Sequence, residues 1–487
     1  MFGIIQLLII RTMKNKLSLY ILLIFTMVFA SCESLVEGIN ENPNDVVLND
    51  IEDKLFLTGS LLANAQVQSG RLNNIAGMYS GQLIGFASLF ANQYNYNLTT
   101  ANSDGTWRAA YVGVVTNMRY IGTNSENVLL QGIAKVTEAH AVGTCATIFG
   151  AVPYSEIGNA EISDPKFDSQ IAVFNAMIAL LEDAVATLNS ATSQNLSEDI
   201  YFGGDKGKWI AAAYTLKARY YLQMKDYTNA MTAAENGIAS ADGDMKFIPR
   251  GAETNTDGDK NLFWAMLESS RAGDVGNLGA DGTQSYLLQM LDATSTVSRN
   301  HAKTDETARL GYYEIAEAWN DNDGIIDKFA PQNMVTYFEN QLIKAECAAR
   351  NGTLQNGLTP LNELRSWLST GGHLNDNYVG QAFLYDAFDV ADFDNGGIEN
   401  ADGVAAKTAF LREVIEERYV SGFGMYMPFN DARRLRKSDS NIAVPFILVN
   451  GSNPPYPERM PYAEQELNSN SNAPTDPGIF GVTAVNQ

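Results

Sequence analysis

A mainly α fold, with tetratricopeptide-like helix pairs forming a scaffold, long irregular loop insertions and few short strands, is predicted by three features of the sequence. Apolar residues recur at three- and four-residue spacing through 51–67, 107–121, 128–148, 171–188, 209–223, 227–239, 334–349 and 361–368, the period of an amphipathic helix. Strand-like alternation is confined to short pieces such as 443–449. Small and aromatic residues at Tyr214, Ala218, Tyr221, Ala230, Ala234 and Gly237 fall at offsets that resemble a tetratricopeptide unit, with Asp226-Tyr227 at the turn. A second such pair runs from Tyr337 through Ala345, Ala348 and Gly352 to Leu361, Leu364 and Leu368. The two lie far apart in the chain, which implies scattered helical hairpins instead of a regular solenoid.

The amino terminus reads as a leader. Lys14 and Lys16 precede an apolar run over 17–29, followed by Ala30, Ser31 and Cys32, the order of a secretory signal. Met13 is the expected true start, residues 1–31 the signal peptide, 32–50 a lipidated tether, and 51–487 a single helical domain. Ala-Ser-Cys resembles a bacterial lipobox, which makes Cys32 the lipidation residue. The run is short for a membrane span. Loss of Arg11, Lys14 and Lys16 leaves 30 bases against 56 acids, a net of −26, so acyl chains rather than a polybasic patch must supply membrane attachment. Cys145 and Cys347 then read as two buried free thiols, with a disulfide the alternative in an oxidising compartment.

Of the 487 residues, 45% are hydrophobic and 18% charged, an ordinary globular balance. The net charge of −23 opposes the counterion release that polyanions require, which excludes nucleic acid as an expected partner. With 22 Tyr, 22 Phe and 5 Trp but only 3 His and 3 Cys, the chain is rich in flat apolar faces and poor in metal ligands and nucleophiles. No nucleotide-binding or nucleophile-elbow motif occurs in a strand-to-helix setting, and no cofactor is expected. His140, His301 and His373 lack a second ligand at metal-binding spacing and read as structural or solvated. The pieces 255–259 and 320–324 are Asp-rich but do not fit a twelve-residue calcium loop, and read as solvated turns.

The tryptophans sort by context. Trp209, Trp367 and Trp107 sit in helical patterns and read as core. Trp264 and Trp319 are flanked by Asp, Asn and Gly, and with Tyr94, Tyr96 and Tyr286 they are the candidate exposed rings. Sugar C–H faces stack on such rings while hydroxyls bond amides and guanidinium groups. Asn92, Asn95 and Arg271 are the candidate polar partners, with Asn102 nearby. Each ring has the alternative role of anchoring its loop to the scaffold. The remaining long loops are 90–106, 250–260, 271–283 and 375–402, the last carrying seven acids and no base.

Several pieces together resemble the SusD/RagB-like outer-membrane lipoproteins. They are the lipobox at Cys32, Asn40 to Asn44, Phe149-Gly150-Ala151-Val152-Pro153-Tyr154, Gly204-Asp205 with Lys208-Trp209, and Lys344-Ala345-Glu346 with Ala349-Arg350-Asn351-Gly352. Leu361-Asn362-Glu363-Leu364-Arg365, Glu416-Glu417-Arg418, Asn430-Asp431-Ala432-Arg433-Arg434 and Pro457-Glu458-Arg459-Met460-Pro461-Tyr462 follow in order. Ala151 and Ala463 depart from the pattern, which bears on the subfamily and the glycan class. The resemblance implies a lipid-anchored, outward-facing, non-enzymatic protein that captures oligosaccharides for a SusC-like TonB-dependent transporter. Peptide capture on the same scaffold and a surface glycoside hydrolase are the competing expectations.

Overall fold

The apolar stripes seen in the sequence pack against one another in chain-neighbour pairs. The computed structural model describes residues 52–253, 259–268, 271–317, 323–449, 451 and 455–487. The expected signal peptide, Cys32, the tether and Trp319 lie outside the described residues, as do most of the two Asp-rich pieces. Residues Asp53–Gln487 form one compact unit.

Helix Val128–Phe149 lies along Gln170–Ser190, which packs on Lys206–Gln223. Tyr227–Ala234 completes a hairpin with Lys206–Gln223 and lies on Tyr337–Asn351, the first helix of a second hairpin closed by Leu354–Leu368. The two tetratricopeptide-like units, distant in sequence, are therefore neighbours in space. Ala406–Ser421 packs on Tyr337–Asn351 and is followed by Met427–Leu435.

Local chemistry sets where these helices start and how closely they approach. Asp205 Oδ1 accepts the amide protons of Gly207 at 2.8 Å and Lys208 at 3.3 Å, and Asp226 Oδ1 accepts that of Asn229 at 3.1 Å, so each aspartate satisfies amides that a helix start leaves free. Asp226 thus marks the expected turn. A Cβ at Gly143 would collide with the Tyr220 hydroxyl. Its absence lets Tyr220 cross the Val128–Phe149 helix, donate to the Ala139 carbonyl at 2.8 Å and stack on Phe174 at 5.5 Å.

Four expectations need correction. The 107–121 helix is instead Asp104–Arg108, a π-helical turn Ala109–Val115, and Thr116–Asn124; the widened turn sets Gly113 against Ala63 of Lys54–Ser69, where a Cβ would clash. The 334–349 helix starts only at Tyr337, because Gln332–Val335 pairs antiparallel with Met245–Phe247 and Thr336 then caps the helix. The 443–449 stretch makes no ladder, only a bridge from Leu448 to Gly451; it contains Pro445, which has no amide proton to donate. The 90–106 stretch begins inside helix Ser88–Tyr94 and ends in a 3-10 turn and a short helix.

The carboxyl-terminal motif residues occupy buried ion clusters. Glu346 binds Arg418 and also Arg434 at 2.7 and 2.9 Å and Arg350 at 2.8 Å, while Asp431 binds Arg418 at 2.6 Å. Burial works to raise Glu346, yet Arg434, Arg418 and Arg350 hold it well below the usual carboxylate range. A second cluster joins Arg299, Arg309, Glu306 and Glu417 through contacts of 2.6–3.2 Å. Cys145 and Cys347 are free and buried, and burial pushes each thiol up to about 12.

A candidate ligand cleft

Three chain segments converge at the end of helix Arg71–Tyr79. Ile84–Gly85 pairs with Val275–Gly276, the Phe86 amide donates to the Asp274 carbonyl at 2.8 Å, and the Tyr286 amide donates to the Gly81 carbonyl at 3.0 Å. This arrangement brings helix Ser88–Tyr94, with Asn92 and Tyr94 named from the sequence, and Tyr286 to the same end of that helix.

Their side chains divide into two places. Tyr96, held at φ 69°, lies half-buried with its ring edge-on to Tyr79 at 5.7 Å and to Phe480 at 5.8 Å. Phe480 is 40% exposed, so this pair presents aromatic surface outward. Tyr94 is half-buried, Asn92 is exposed, and Asn95 is exposed with its amide donating to the Ala91 carbonyl at 2.7 Å. Arg271 is held by Asp274 at 3.4 Å.

Tyr286 stands elsewhere, in the wall of an open cleft of about 670 Å³. Its ring meets Tyr419 edge-on at 6.3 Å, and Tyr419 stacks on Phe446 at 6.2 Å. The rest of the lining comes from 296–301, 398–402, helix Ala406–Ser421 and 440–445. His301 pairs with Glu399 at 2.6 Å, and Arg412 grips Asp402 at 3.0 and 3.2 Å. Glu413 contacts Arg299 at 2.8 Å. Glu416 differs: among the described residues it makes no hydrogen bond or ion pair, and burial pushes its carboxyl up to about 7, Arg299 and Arg412 opposing and Glu399 reinforcing. The Tyr286 phenol is pushed up to about 12 by burial and by Glu416.

Trp264 is not a platform. Asn261 Oδ1 accepts the amide protons of Phe263 and Trp264, starting a helix, and the ring is only 8% exposed with the Lys328 ammonium 5.4 Å above it. Trp209 is fully buried, donating to Asp199 at 2.7 Å, and Trp107 is 6% exposed. Trp367 is half-buried against Tyr337 at 5.8 Å. His140 is buried and His373 half-buried, and removal from water carries the latter down to about 3. Sequence reasoning missed Phe480 and Glu416. Phe480 follows a Pro-Gly turn, a detectable signal, whereas Glu416 sits in a Glu-Glu pair of which only geometry separates the members.

Comparison with known proteins agrees with this architecture. A family model for SusD-like proteins, described as "Starch-binding associating with outer membrane", matches residues 44–357. The chain belongs to the SusD-like family. Solved structures similar to this SusD-like chain include a SusD/RagB family protein from Bacteroides thetaiotaomicron, 19% identical over 87% of this chain and 95% of that one, with a TM-score of 0.61. A chitin-binding SusD homolog from Flavobacterium johnsoniae is 17% identical over 88% and 98%, with a TM-score of 0.61. A SusD homolog from Bacteroides uniformis is 16% identical over 89% and 99%, with a TM-score of 0.62. At these identities the likeness establishes the fold. No curated protein matches the chain by sequence.

Proposed function

We propose that this protein captures oligosaccharides at the cell exterior and hands them to a SusC-like TonB-dependent outer-membrane transporter without altering them. It is anchored through lipid at Cys32. Family membership supports the outer-membrane setting, and the observation that carries the sugar reading is the half-buried Tyr286 ring in the wall of an open cleft edged with polar groups. A ring in such a wall covers one sugar face while hydroxyls and carboxylates at the edge bond the sugar's oxygens. Tyr96 and Phe480 form a second aromatic surface, with Asn95 exposed beside Tyr96, suited to extending the grip along a chain, and Tyr94, Asn92 and Arg271 are further candidates for ligand contact. Affinity should be modest, because an open surface buries only part of a flexible ligand.

Calorimetric titration of an oligosaccharide panel tests the reading. Binding by the native chain, and its loss in Tyr286→Ala or Tyr96→Ala, is expected; binding unchanged in both variants would remove the site assignment. One observation favours a second reading, a surface glycoside hydrolase: a carboxyl held near neutral pH in a cleft is what a general acid needs. New reducing ends after incubation with the panel would decide for that reading.

A further inference from the structure

Deepening the sugar reading just given, we infer that the Tyr286 cleft selects a sugar carrying a free ammonium group, whose protons the Glu416 carboxylate accepts while the Tyr286 ring covers the sugar's C–H face.

Most charges in the cleft already have partners. Asp402 is bound by Arg412 and Glu413 by Arg299, while Glu399 lies 2.6 Å from the His301 ring nitrogen, an ion pair when that imidazole is protonated. Glu416 alone among these carboxylates has no ion-pair or hydrogen-bond partner among the described residues, yet it lines the same cleft and is half-buried. A carboxylate withdrawn from water without a partner is costly, and a cation that enters the cleft removes that cost. A neutral hydroxyl bonds such a group less strongly than an ammonium does.

Two further observations point the same way. The Tyr286 hydroxyl likewise has no partner among the described residues, and the Glu416 charge acts on it, so ring and carboxylate address the same space. The net charge of −23 attracts cationic ligands at long range and repels anionic ones. The Asn441 amide also lines the cleft without a hydrogen bond to any described residue, and is available for a sugar hydroxyl.

The pH dependence has a defined sign. The groups facing Glu416 are Arg299 and Arg412, which favour its ionised form, Glu399, which disfavours it, and the Tyr286 phenol. Glu413 lies one turn back on the same helix, and His301 and Asp402 also line the cleft. Ammonium binding needs an ionised Glu416 and a protonated sugar amine, so affinity should fall on both sides of neutrality, on the acid side below about 7 as Glu416 takes up a proton and on the alkaline side as the sugar amine loses one. Binding below that pH should take a proton from the carboxyl and release it.

The test titrates the full chain after residue 32 with a β-1,4-linked glucosamine tetramer, its N-acetylated counterpart, and a lysine-containing tetrapeptide. The native protein should prefer the ammonium tetramer over the acetylated one by roughly tenfold or more, as a charge-assisted hydrogen bond in a half-buried setting supplies. Added salt should erode that preference. Glu416→Gln should equalise the two sugars, and Tyr286→Ala should weaken both. Equal binding of both sugars by the native protein, or a preference that survives Glu416→Gln, would overturn the inference while leaving sugar capture intact. Binding of the lysine peptide with neither sugar bound would overturn sugar capture and this inference together.

Discussion

Glu416 and Glu417 are adjacent on one helix and live in opposite surroundings. Glu417 points inward, where burial disfavours its charge but Arg309 and Arg299 hold it well below the usual carboxylate range. Glu416 points to the cleft, has no such partners, and is pushed up to about 7. The regions around them differ in the same way. In the buried clusters each carboxylate meets two or more guanidinium groups or a hydroxyl, whereas the cleft has a carboxylate to spare. Charge in the buried clusters is fully partnered, and the charge left over lies open to the cleft.

The largest effect expected is in the buried region. Arg418→Ala leaves Glu346 and Asp431 short of a partner inside the protein, and should cost about 3–5 kcal/mol in denaturant unfolding; a loss below about 1 kcal/mol would show that the cluster is dispensable.

The pH response should divide the two neighbours. Glu417, with a folded pKa below its unfolded value, contributes stability that is present above the usual carboxylate range and is lost as pH falls through the folded pKa. Glu416 acts with the reverse sign: its contribution is present below about 4.5 and is lost as pH rises through about 7. Glu416→Gln should therefore stabilise the protein at pH 8 by up to about 2 kcal/mol and make little difference at pH 4. Equal effects at both pH values would contradict the assigned environment.

Helix capping provides a smaller contrast between scaffold and cleft. Asp205→Ala should lower stability by about 1 kcal/mol through the lost amide contacts, with ligand binding unchanged. Smallest on stability should be Phe480→Ser, which removes a ring 40% exposed; its melting temperature should stay within a few degrees of the native one while binding to long oligosaccharides weakens.

Much of the scaffold was legible because its helices carry apolar stripes and explicit caps, as at Asp205 and Asp226. Ala406–Ser421 was not, since Glu413, Glu417 and Arg418 occupy its buried positions and hide the period. The π-helical turn was hidden too, because the clearance at Gly113 depends on a different helix. At the cleft, Tyr286 could be named from its loop context. The same reasoning misplaced Trp264, whose polar neighbours start a helix and cap its ring instead of exposing it. Composition around a ring tells what surrounds it in the chain, while exposure depends on segments such as Lys328 that arrive from elsewhere.

The most direct test of ring-based capture is calorimetric titration of a binding oligosaccharide into native, Tyr286→Phe and Tyr286→Ala proteins, with the sugar recovered afterwards. Binding kept by the phenyl ring, lost with alanine at an unchanged melting temperature, and sugar returned uncut is the predicted result. Undiminished binding by the alanine protein, or recovered sugar with new reducing ends, would contradict it.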